Sequence, residues 1–216
     1  MLMRKICVVI AMLLLFCLFL ASCVKNVPVD QEWNKFVAPS RHDLQMDGYK
    51  LHYIDMGEGF PILMIHGYAS SGYAWKDNVR PIMNAGYRVI LIDMPGQGQS
   101  EVPPKSFSPK AENLVGEVIK LADYLKLDKF GVVGCSMGGG ISLYMTVNYP
   151  ERIAGTVVID PAAYDQKKPF SLKLLNNKVT GSIIVQFANK GSIESALKDT
   201  AFKDEVITET FVGEYS

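Results

Sequence analysis

A serine stands between two glycines, each two residues away, in Gly134-Cys135-Ser136-Met137-Gly138. This G-x-S-x-G spacing suits a nucleophile elbow, in which a sharp turn between strand and helix lifts a serine hydroxyl above a parallel sheet. Lys129-Phe130-Gly131-Val132-Val133 reads as a short buried strand leading in, and Gly139-Gly140-Ile141-Ser142-Leu143-Tyr144-Met145 as a helix leading out. At such a turn a Cβ on either flanking glycine would strike neighbouring backbone. Ser136 would also stand at a helix N-terminus, whose free N–H groups favour developing negative charge. The alternative is a glycine-rich turn with a solvated serine, which the strand–turn–helix context disfavours.

The flanking elements alternate as a layered fold requires. Leu44-Gln45-Met46 and Tyr49 to Met56 flank Asp47-Gly48, a hairpin pattern. Ile62 to Ile65 is a short apolar run ending at His66-Gly67, as a buried parallel strand would. A helix from about Trp75 to Asn84 and a strand from Tyr87 to Asp93 follow. Ser108-Pro109 looks like the start of a helix that carries Leu114, Val118, Leu121 and Leu125. The elbow helix extends to about Tyr149, and Ile153 to Asp160 reads as another buried strand. A hairpin followed by repeated βα units predicts an α/β fold with a doubly wound, mostly parallel sheet. From Pro161 the core pattern stops. Residues 166–216, including Ile193 to Phe202, Glu205 to Val212 and the apolar Ser182 to Phe187, read as a partial helical lid.

The first residues look different from the rest. Arg4 and Lys5 precede an uninterrupted apolar run, Ile6 to Leu20, and then Leu20-Ala21-Ser22-Cys23. The run is short for a bilayer span and has the form of a secretory h-region. The block resembles a bacterial lipoprotein signal, cleaved before Cys23, with that cysteine then acylated. On that resemblance residues 1–22 are a signal peptide and 23–40 a tether, and the domain sits lipid-anchored in a bacterial cell envelope. With two membranes it would face the periplasm from the outer membrane, as Val24 after the cysteine hints. The alternative is an uncleaved anchor helix. Cleavage removes Cys7 and Cys17, and lipidation uses Cys23, so Cys135 is left as the only free thiol and no intrachain disulfide is expected. The chain carries 22 basic and 22 acidic residues, and losing Arg4 and Lys5 leaves 20 against 22. Such a balance gives no electrostatic reason to expect nucleic acid as a partner.

Three ordered blocks now carry a family resemblance: His66-Gly67-Tyr68, then Asp93-Met94-Pro95-Gly96-Gln97-Gly98-Gln99-Ser100, then the elbow. With them the chain resembles the α/β-hydrolase superfamily, in the branch of serine esterases, lipases and related acyl or C–C hydrolases. The likeness runs from about residue 41 to 165. It implies Ser136 as the nucleophile and an oxyanion hole built from the backbone N–H groups of Tyr68 and Met137. It implies no cofactor and no metal, and a small-molecule or lipid ester as substrate. A serine at the elbow argues against the haloalkane dehalogenases and epoxide hydrolases, which this family runs with an aspartate there.

The other polar residues have plainer readings. In the family the histidine of His66-Gly67 shapes the oxyanion loop. His42 and His52 read as surface or packing residues, and Asp93 with its glycines as a tight loop. Cys135 reads as a small buried apolar residue. Tyr68, Tyr73 and Trp75 suit either a pocket wall or ordinary packing.

A serine hydroxyl needs a histidine to take its proton and an acid to orient that histidine, in chain order Ser, acid, His. No histidine follows Ser136. Asp160, after the strand beyond the elbow helix, is a candidate acid but cannot replace the base. In a serine protease of another fold, losing the histidine alone costs about 10⁶ in turnover. Two expectations follow. The first is a membrane-anchored serine hydrolase represented by an N-terminal fragment. The second is a non-catalytic lipoprotein that keeps the scaffold for binding.

Overall fold

The computed structural model describes residues 30–163. Cys23 and the expected lid, residues 166–216, lie outside the described residues. The elements in chain order are α1 (Gln31–Val37), β1 (Arg41–Gln45), β2 (Lys50–Met56), β3 (Phe60–Ile65), α2 (Lys76–Asn84), β4 (Tyr87–Ile92), α3 (Ala111–Tyr124), β5 (Phe130–Cys135), α4 (Met137–Asn148) and β6 (Ile153–Ile159).

The six strands form one sheet in the order β1-β2-β4-β3-β5-β6. The hairpin pairs antiparallel, with Leu44 opposite Leu51, and turns through Gly48 at φ 87°. β2 also pairs antiparallel with β4, whereas β4, β3, β5 and β6 run parallel. The α/β fold with a mostly parallel sheet is therefore as expected. All the parallel strands end at the same carboxyl edge, and the loops there carry the site residues.

β3 and β4 bury both faces toward their carboxyl ends, which is why their apolar runs are continuous rather than alternating. Leu63, Ile65, Ile90, Ile92 and Val132 share a core with Leu114, Val118 and Leu121 of α3 and Ile141 and Met145 of α4. Leu114, Val118, Leu121 and Ala122 recur at helical spacing, so α3 turns one apolar stripe inward. Fully burying each such leucine or valine side chain contributes about 1.5–3 kcal/mol. Met64 and Leu91 alternate with that set and are buried on the opposite face.

Two local expectations need correction. Residues 31–40 are folded, although the sequence suggested a tether from 23 to 40. α1 buries Trp33 and Val37, Trp33 packs edge-on to Tyr73 at 6.0 Å, and Arg80 lies 3.8 Å from the Phe36 ring centroid. Nor do Ser108 and Pro109 open α3. The helix begins at Ala111 after Lys110, and no side chain caps it. Ser108 instead offers its carbonyl oxygen to Asn113 Nδ2.

β6 is the last strand of the described sheet, and it is poorly covered. Val157 is 56 % exposed and Ile159 48 %.

Candidate active site

Ser136 occupies the turn between β5 and α4 with φ 51° and ψ −115°, a conformation that L-residues hold only under constraint. The constraint is visible in the backbone. Ser136 N–H donates to the Ile159 carbonyl at 2.9 Å, and the Ser136 carbonyl accepts from Ala162 N–H at 2.9 Å and Gly140 N–H at 3.1 Å. The two glycines of the motif are required by contact. A Cβ on Gly134 would lie 2.2 Å from the Gly138 carbonyl oxygen, and one on Gly138 would lie 2.1 Å from that of Ile65. Strand and helix thus close to backbone contact, and the serine is thrust up between them.

Met137 is the first residue of α4. Its N–H belongs to the helix's first turn, which has no partner within the helix and carries the positive end of the dipole. Tyr68 lies in the turn after β3, with its side chain 61 % exposed. The loop that holds it reaches the nucleophile, because Gly67 packs directly against Ser136. The two expected oxyanion loops therefore leave adjacent strands, β3 and β5, on either side of the serine.

His66 is fully buried. Its Nδ1–H donates to the Gly67 carbonyl at 2.6 Å, and its Nε2 accepts the Met94 N–H at 3.0 Å. Both ring nitrogens are engaged, so His66 ties the loop after β3 to the loop after β4 and has no lone pair for Ser136. Burial pushes its pKa below the usual histidine range, which keeps the ring neutral. The other two histidines are also structural. His42 is exposed on β1 and stacks on Tyr53 with centroids 5.2 Å apart. His52 is buried on β2, with Nδ1 3.0 Å from Asp93 Oδ2.

Asp93 organises the loop after β4. Its Oδ1 accepts the Gly72 N–H at 2.7 Å, and its Oδ2 accepts the Gln99 N–H at 2.9 Å as well as the His52 ring. Burial alone would raise this carboxyl, but the His52 bond and the two N–H groups hold it below the ordinary carboxylate range. Tyr73 and Trp75 are both buried, which fits packing rather than an open pocket wall.

Asp160 follows β6 at the same carboxyl edge, exposed and at φ 43°. It is one residue beyond the carbonyl that binds Ser136 N–H, yet neither His52 nor His66 is bonded to it. Cys135 is half-buried, and burial, followed by the charge of Asp160, raises its thiol pKa. A raised thiol is protonated at neutral pH and inert, as a packing role requires. Beside Met137 an apolar groove of about 550 Å³ runs along α4, lined by Leu114, Ile141, Tyr144, Val147 and Ala162 among others.

The pairing of His52 with Asp93 was not foreseen in the sequence. The two residues are 41 positions apart, and only the sheet brings β2 beside β4.

The strained serine, the close-packed glycines and the histidine-tied loop are features of one scaffold. The alpha/beta hydrolase fold family matches residues 61–193, and the chain belongs to that family. Among its relatives, a 2-hydroxy-6-oxononadienedioate/2-hydroxy-6-oxononatrienedioate hydrolase of Pseudomonas putida is 35 % identical over 158 residues, covering 68 % of this chain and 53 % of that protein. A soluble epoxide hydrolase of a Corynebacterium species is 31 % identical over 121 residues, covering 56 % of this chain and 41 % of that one. A meta-cleavage product hydrolase structure from Pseudomonas fluorescens shares the fold, with a TM-score of 0.67 at 24 % identity over 81 % of this chain and 62 % of that one. The chain spans about half the length of these two sequence relatives. Both of these sequence relatives are hydrolases.

Proposed function

We propose that the chain carries the nucleophile side of a serine-dependent hydrolase that cleaves an ester through an acyl-enzyme on Ser136. The observation that carries this reading is the strained Ser136, held at φ 51° between Gly134 and Gly138 at the head of α4. In the first step Ser136 Oγ bonds to the ester carbonyl carbon. The carbonyl oxygen takes the negative charge beside the N–H groups of Met137 and Tyr68. The bond to the leaving oxygen then breaks, and the alcohol departs with the proton that the serine gave up. Water next attacks the acyl carbon and releases a carboxylic acid and free Ser136. One oxyanion donor is typically worth about 10²–10³ in rate, so placement of both loops matters. The apolar groove beside Met137 favours an apolar acyl group.

No histidine of this chain serves as the base, since both ring nitrogens of His66 are bonded and His42 and His52 sit on β1 and β2, separated from β5 by β4 and β3. We place the base in further sequence of a longer hydrolase, a reading supported by the half-length match to the relatives. Asp160 remains the candidate acid. The serine at position 136 separates this reading from an aspartate-based epoxide hydrolase, although epoxide hydrolases are among the relatives. A lipid on Cys23 would hold the enzyme on the membrane of a bacterial envelope, and several acyl chains at about 0.8 kcal/mol per buried CH₂ suffice for that.

The engaged state of His66, whose two ring nitrogens are both bonded, favours one second reading, a non-catalytic lipoprotein that uses the pocket for binding. Acetyl transfer from p-nitrophenyl acetate separates the two. The enzyme reading predicts one acetyl group on the Ser136 peptide by mass spectrometry, accumulating because deacylation also lacks its base. It predicts none in Ser136→Ala. A folded protein that gains no acetyl group at Ser136 would favour the binding reading.

A further inference from the structure

Three hydrogen bonds join the loop after β3 to the loop after β4. Two are buried: Met94 N–H to His66 Nε2 at 3.0 Å and Gly72 N–H to Asp93 Oδ1 at 2.7 Å. The third lies at the exposed tip, where Ala69 N–H donates to Gln97 Oε1 at 2.7 Å. Ala69 sits at φ 55°, in the left-handed region that an alanine occupies only when something holds it there. Tyr68, whose N–H is the expected oxyanion donor, lies between this alanine and Gly67, which abuts Ser136. The Gly67–Tyr68 peptide that carries this N–H is held through its carbonyl, which accepts the His66 Nδ1–H, and the next peptide, Tyr68–Ala69, is held through the Ala69 N–H on Gln97.

We propose that Gln97 is a positioning residue for the oxyanion hole, pinning Ala69 so that the Tyr68 N–H is held toward the carbonyl bound at Ser136. This rests on the serine-nucleophile reading above. Gln97 is suited to the task because its own backbone is fixed. Its N–H donates to the Met94 carbonyl at 2.9 Å, and its carbonyl accepts the Ser100 N–H at 3.1 Å. Two residues on, Gln99 N–H is bound to the buried Asp93. The Gln97 side chain therefore transmits the rigidity of a buried carboxylate to an exposed turn. The side chain at position 97 must present an acceptor, since Ala69 offers a donor.

The test compares the full chain with Gln97→Met, which keeps the length but has no strong acceptor, and Gln97→Glu, which keeps an acceptor oxygen. The readouts are the rate of Ser136 modification by a fluorophosphonate, amide exchange at Ala69, and the urea midpoint. Losing one hydrogen bond predicts that Gln97→Met modifies about three- to tenfold more slowly, with faster exchange at Ala69 and a midpoint lowered by no more than one exposed hydrogen bond accounts for. Gln97→Glu should keep Ala69 exchange slow and modify faster than Gln97→Met. Equal rates in the wild type and Gln97→Met, or a Glu variant no faster than the Met variant, would overturn the proposal. If the wild type is not modified at all, the serine-nucleophile reading fails. Exchange then decides the loop contact: unchanged Ala69 exchange in Gln97→Met removes Gln97 from any positioning role, and faster exchange retains it.

Discussion

Gly67 lies so close to Ser136 that a Cβ on it would stand 3.3 Å from Ser136 Cβ and 3.9 Å from Oγ. The oxyanion loop and the nucleophile are therefore one packed unit, and any side chain at position 67 would crowd the space a substrate carbonyl needs. Gly67→Ala should fold, because its nearest contact at 3.3 Å is tight but is relieved if Ser136 gives by a few tenths of an ångström. It should nonetheless slow Ser136 acylation by about tenfold or more through the displaced Tyr68 peptide. Acetylation kinetics beside a urea titration would show whether rate falls without stability.

Gly138→Ala should behave in the opposite way and fail on stability. Its Cβ would meet the carbonyl oxygens of Ile65 at 2.1 Å and His66 at 2.7 Å, neither of which can rotate away. The expected cost is about 3 kcal/mol or more, read as a collapsed urea midpoint or insoluble protein. Gly155→Ala is the control. Nothing lies within 4 Å of its Cβ, so its midpoint should be unchanged or slightly higher.

Ser136→Gly should stabilise the protein while removing its chemistry. Glycine adopts positive φ without the penalty that serine bears at φ 51°. A gain of about 1 kcal/mol in urea unfolding is expected, with no acetyl transfer. A variant less stable than wild type would mean the turn stores no strain.

Two buried groups predict two acid transitions. His66 has a folded pKa below its unfolded value of about 6.5, so the unfolded chain binds more protons as pH drops below that value. Its contribution is complete above about pH 6.5 and is lost as pH falls below it. Asp93 has a folded pKa below its unfolded value of about 3.9, so its contribution is complete above that pH and disappears as pH falls through the folded value. Urea midpoints from pH 8 to pH 3, scanned in steps of about half a unit, should fall in both windows. His66→Gln should flatten the upper window. Asp93→Asn should flatten the lower one and cost about 2–3 kcal/mol at pH 7, since His52, Gly72 and Gln99 lose a charged acceptor.

Local pattern and long-range contact divide what could be read in advance. The elbow was legible to within two residues because Gly134, Ser136 and Gly138 answer to a clash that any such turn must avoid. The hairpin at Asp47-Gly48 and the apolar runs of β3 and β4 were legible for the same local reason. The position of β4 between β2 and β3 was not, because β2 pairs with β4 across an intervening strand in the sequence rather than with β3, its neighbour in the chain. α1 escaped notice because seven residues have little helical stability alone, and contacts with Tyr73 and Arg80 hold it. The Gln97–Ala69 and His52–Asp93 bonds were hidden likewise, each depending on loops or strands that only the folded sheet brings together.

The most direct test of the account is selective modification of Ser136. The full chain is incubated with a fluorophosphonate, with and without imidazole as a stand-in for the absent base, and the modified peptide is mapped by mass spectrometry. Oxyanion stabilisation and binding alone leave a serine protease lacking a triad residue about 10³–10⁴-fold above water. Slow modification confined to Ser136 is therefore expected, faster with imidazole and absent in Ser136→Ala. Folded protein that is unmodified at Ser136, or modified equally at its other serines, would contradict it.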